Sequence, residues 1–111
     1  MTKIPMSLAA AGLLRALLAR ANNVHLDRIL LTEFESTEWQ SLTFIGERHQ
    51  IRFRILGADS AGIVRNLTYG LEDAEFSIPG HIVADIALAG KPQANSDGSI
   101  SIDLEALTIS E

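Results

Sequence analysis

Near the carboxyl end, Ile82, Ala84, Ile86 and Leu88 flank Asp85, and further on Ile100, Ile102 and Leu104 alternate with Ser101, Asp103 and Glu105. Period-two alternation is the signature of strands that bury one face and wet the other. Asn95-Ser96-Asp97-Gly98 lies between the two runs and supplies turn residues, so the pair predicts a hairpin. Upstream, Leu42 and Phe44, then Ile51, Phe53 and Ile55, flank Gly46-Glu47-Arg48-His49. This predicts a second hairpin with a four-residue connection, whose wet face carries Gln50, Arg52 and Arg54. From Val24 to Phe34 the pattern mixes both periods, and a strand over about 24–34 is the reading adopted.

Two segments repeat at helical spacing instead. The first runs from about Ser7, a candidate N-cap, to Ala21, with Leu8, Leu14 and Leu18 on a stripe widened by Leu13 and Leu17. A stripe this broad, marked off only by Arg15 and Arg20, predicts burial against a sheet or against a copy of itself. The second follows Gly57: Asp59 or Ser60 caps a helix that places Val64, Leu67, Leu71 and Ala74 on one face. Glu72, Asp73 and Glu75 then crowd its carboxyl end, the unfavourable sign for the helix dipole. Ser77-Ile78-Pro79-Gly80-His81 redirects the chain before the last hairpin.

The resulting expectation is a single α+β domain over 1–111. It has an antiparallel or mixed sheet of about five strands and two helices packed on one face, in the order α-β-β-β-α-β-β. Ile51, Phe53, Ile55, Ile82, Ile86, Ile100 and Ile102 would form the covered face. Arg52, Arg54, Asp85, Asp103 and Glu105 would form the opposite one, as a ladder of opposite charges.

Composition narrows the function classes. An apolar fraction of 47% and a charged fraction of 21% are those of an ordinary globular domain, and 111 residues suffice for one core. With no cysteine, disulfides and thiolate chemistry are excluded. A net charge of −5, nine scattered basic residues and 5% aromatics argue against nucleic-acid binding. The apolar run from Met6 to Leu18 is too short to span a bilayer, and Arg15 and Arg20 crowd the point where a leader would be cleaved. A cytoplasmic protein without membrane contact and without cofactor is therefore expected.

Catalytic motifs are sparse. Gly57-Ala58-Asp59-Ser60-Ala61-Gly62 is one residue too long for a nucleophile elbow, so Ser60 reads as a cap. His25, His49 and His81 lack metal-helix spacing, and a site built from His81, Asp85 and Glu75 would require convergence in space. Gln93 and Leu104 occupy the positions where a calcium loop needs its first and last carboxylates, so no metal is expected. Gly57 to Val64 resembles the Asp-x-x-Gly-Ile-Val turn that opens the first helix of ACT-type regulatory domains, which bind amino acids at subunit interfaces. The resemblance covers eight residues and would implicate Asp59 and Gly62. The β-α-β-β-α-β order it implies differs from the order read here.

Two functional expectations follow. One is a non-catalytic binding or assembly module, homo-oligomeric, associating through Leu14, Leu17 and Leu18 of the first helix or through a free strand edge. The other is a small metabolite-binding protein or enzyme with a pocket near Pro79-Gly80-His81. There His81 would serve as acid or base, Arg52 or Arg54 would hold an anion, and Asp85 would be a further ligand contact.

Overall fold

A computed structural model describes residues 6–21 and 26–111. Helix α1 (Leu8–Ala19) precedes the long hairpin β1 (Ile29–Gln40) and β2 (Ile45–Ile55). Helix α2 (Ser60–Thr68) follows, and then β3 (His81–Leu88), β4 (Gln93–Ala94) and β5 (Ile100–Ser110). All pairings are antiparallel, and the sheet order is β1-β2-β5-β3, with two-residue β4 continuing the β3 side of β5. The fold class is thus as expected, with the order α-β-β-α-β-β-β in place of α-β-β-β-α-β-β.

The difference arises at the first hairpin. Leu42 and Phe44 are not strand residues: Ser41 to Phe44 form the connection, closed by the Ser41 N–H donating to the Phe44 carbonyl at 2.9 Å. The Ser41 hydroxyl accepts from the Thr43 and Phe44 N–H groups at 3.3 and 3.0 Å, a local side-chain turn that competes with the ladder. Gly46 to His49, expected as the connection, lie inside β2. The first predicted strand therefore runs on to Gln40 as β1 and the second is lost to the connection, while the expected start at Val24 and His25 lies outside the described residues.

Each helix forms for a local reason. Ser7 caps α1, its hydroxyl accepting from the Ala10 N–H at 3.1 Å. Around α2, Asp59 makes no side-chain cap bond and instead pairs with Arg28. The helix ends at Thr68, and Gly70, at φ +63°, turns the chain into a short 3-10 segment, Leu71–Asp73. Glu72, Asp73 and Glu75 thus follow the helix end, and the expected dipole conflict does not arise.

Both helices pack on one face. Leu13 and Leu17 of α1 and Ile63, Val64 and Leu67 of α2 join Ile51, Phe53, Ile55, Ile86, Ile102, Leu104 and Ala106 in one core. Ile82 is a correction: it is 52% exposed on the opposite face. The register shift between Val83 and Asp85 inserts an extra residue, so Ile82 pairs with Ile109 and Asp85 with Leu107, both on the outer side. None of the described helices crosses that outer face, and none is long and apolar enough to span a membrane.

Candidate functional site

The two arginines singled out from the sequence are committed within the chain. Arg52 Nε donates to Asp103 Oδ1 at 2.6 Å, with Glu33 at 4.0 Å on its other side, so of the expected ladder Arg52 and Asp103 pair directly and Glu33, not part of that expectation, extends the row into β1. The carboxylate of Asp103 holds the Arg52 guanidinium above its ordinary pKa. Arg54 donates to Ser99 Oγ at 3.0 Å and pairs with Asp97. Asp97 also accepts from the Ser99 hydroxyl and N–H, and these bonds, with Arg54, lower its pKa to about 2. The two pairs pin the last hairpin to β2, so both arginines are engaged within the chain.

The remaining candidates separate. Asp85 lies on the outer face, while His81, opposite Ser110, lies on the helix side at the far end of the sheet. There it lines an open cavity of about 450 Å³ with Glu38, Glu47, Thr108 and Ser110. Leu17 is completely buried in the core of its own chain, and Leu14 and Leu18 are half-buried against that core. Asp59 is bound to Arg28, and Gly62 sits inside α2 with open space around it. Among the described residues no group of three His, Asp or Glu side chains is arranged to hold a metal.

A polar group that the sequence reading placed in a turn is instead fully buried. His49 sits on the helix side of β2, between Ser36 of β1 and Ala106 of β5. Its Nδ1 is 2.8 Å from Ser36 Oγ and its Nε2 2.9 Å from Thr108 Oγ1, and the Phe34 ring meets it edge-on at 5.8 Å. The parity of Glu47, His49, Ile51, Phe53 and Ile55 carries this signal, and extending the strand two residues beyond the apolar run would have found it.

Burial depresses the His49 pKa below 6.5. The Glu47 carboxylate opposes this, and nearby His81 adds to it. The unfolded chain therefore binds the proton more readily, so this residue's contribution is complete above the unfolded pKa and is lost as pH falls through 6.5 toward the lower folded value. Thermal unfolding between pH 7.5 and 5 should show a steeper loss of Tm for the natural protein than for His49→Gln. Parallel curves would remove His49 from the account.

The outer face holds the second feature of interest. Trp39, Gly46, Ile109 and Ile82 lie in one cross-strand row over all four long strands, next to the row Thr37, Arg48, Leu107 and Asp85. The sequence reading missed this row because the bulge in β3 reverses Ile82. Neither a family model nor a curated protein matches the chain.

Proposed function

We propose that this chain is an assembly module that self-associates by stacking the outer faces of two sheets. The supporting observation is the apolar row Trp39-Gly46-Ile109-Ile82, which ends in an isoleucine that the β3 bulge turns onto a face no described helix covers. Burying an exposed isoleucine contributes about 1.5–3 kcal/mol at full burial, and a two-fold stack buries two of each row member. The face is large enough. Four strands about 4.8 Å apart, three of them 11 or 12 residues long and β3 8, at about 3.3 Å per residue give on the order of 650 Å², of the same order as the ~800 Å² per partner of stable interfaces.

Charge favours a second copy as the occupant. Arg48 has no ion-pair partner among the described residues, and Glu35 and Glu105 stand one row away on the same face, so the surface is complementary to itself. The first-helix surface expected from the sequence keeps only Leu14 and Leu18, since Leu17 is spent on the core. Light scattering on Ile82→Glu and on Leu14→Glu separates the two surfaces. Loss of association in Ile82→Glu alone supports the sheet face, whereas loss in Leu14→Glu alone moves the interface to α1.

A further inference from the structure

We infer that Ser36 is a nucleophile activated by His49, able to accept an acyl group from an activated carboxylic ester. It rests on the contact chain Ser36–His49–Thr108, 2.8 and 2.9 Å on either side of a buried imidazole. Thr108 Oγ1 stands 2.9 Å from His49 Nε2 and 3.5 Å from the Glu47 carbonyl, placed to accept from Nε2–H while its own hydroxyl faces that carbonyl. In the tautomer assigned here, with Nε2 protonated toward Thr108, Nδ1 carries the lone pair and accepts from the Ser36 hydroxyl at 2.8 Å. A hydroxyl bonded to a base that is itself oriented by a third group is the arrangement of an activated serine. Thr108 takes the place of the orienting member by direct contact, and the Glu47 carboxylate, which accepts from the Ser7 hydroxyl at 2.7 Å, adds negative charge two residues along β2.

Access and backbone geometry agree with this assignment. His49 is completely buried, yet Ser36 is exposed on an edge strand, so a dry base backs a wet nucleophile. Ladder bonds alternate along an antiparallel pair, and counting back from the Ser41–Phe44 closing bond makes Ser36 and His49 a non-hydrogen-bonded pair. The N–H of Ser36 consequently points out of the open edge, beside its own Oγ, where a developing oxyanion would meet a donor. Phe34 shares the helix-side face of β1 with Ser36, two residues away, and offers an apolar ring beside the acyl group.

In the reaction, Ser36 Oγ bonds to the ester carbonyl carbon while its proton moves to His49 Nδ1. The carbon–oxygen bond to the leaving group then breaks with its electron pair, and His49 returns the proton to that oxygen, leaving Ser36 acylated. Thr108 is a positioning residue.

The test is incubation of the full chain with p-nitrophenyl butyrate, followed by nitrophenolate release, intact mass and peptide mapping. The expected result is one butyryl group on Ser36, none on Ser36→Ala, and a rate roughly a hundredfold lower in His49→Gln. In the natural protein the rate should rise with pH through an inflection below 6.5, because burial keeps His49 neutral. Thr108→Val should move that inflection to lower pH and Thr108→Ser should restore it. No adduct, an adduct elsewhere, or equal labelling of Ser36→Ala would overturn the inference and leave His49 with a purely structural bond.

Discussion

A Leu17→Glu protein should be unfolded at room temperature. Leu17 is completely buried in the core that also holds Leu13, Phe53 and Leu104, so the change removes a large apolar side chain and puts a carboxylate in an apolar core. Lost burial costs about 2 kcal/mol and an unpaired buried polar group at least as much again, a sum on the scale of a small domain's whole stability. Leu14→Glu, half-buried on the helix flank, should cost about 1 kcal/mol or less and keep its far-ultraviolet circular dichroism. The pair separates core from surface on one helix. A folded Leu17→Glu chain would mean that α1 is not packed as described.

Gly46→Val should be nearly as damaging, for a reason unrelated to conformational freedom. A Cβ at position 46 would lie 1.9 Å from the carbonyl oxygen of Thr108 and 3.1 Å from the Ile109 Cα, both backbone atoms in the adjacent strand. Neither can move without parting β2 from β5, the pairing that also brings His49 to Thr108. Overpacking of this kind costs about 3 kcal/mol, so the urea midpoint should fall sharply. Gly62→Ala is the control, since nothing lies within 4 Å of a Cβ there and α2 should gain about 0.5–1 kcal/mol. Equal midpoints for the two variants would contradict the β2–β5 register.

What the sequence made legible was the part governed by simple parity. Ile51, Phe53 and Ile55 in β2 and Ile102 and Leu104 in β5 alternate without interruption, so their burial and the opposed Arg52–Asp103 pair could be read directly. The misreadings came where backbone geometry overrides composition. Ser41 closes a turn through its own side chain, which strands Leu42 in solvent at 107% relative exposure although its residue type suggested a strand. A one-residue bulge reverses Ile82, and no residue type in Ile82-Val83-Ala84-Asp85 announces it. His49 was hidden because it closes the polar run Gly46-Glu47-Arg48-His49, which resembles a connection. Its partners Ser36 and Thr108 are distant in sequence and meet only through the strand register.

The most direct test of self-association through the sheet face is sedimentation equilibrium of the unmodified protein over a wide concentration range, with Ile82→Glu run beside it. The natural chain should approach twice its 12.0 kDa mass, and Ile82→Glu should remain at 12.0 kDa with unchanged circular dichroism. A natural protein that stays at the single-chain mass at every concentration, or an Ile82→Glu variant that still doubles, would contradict the proposal.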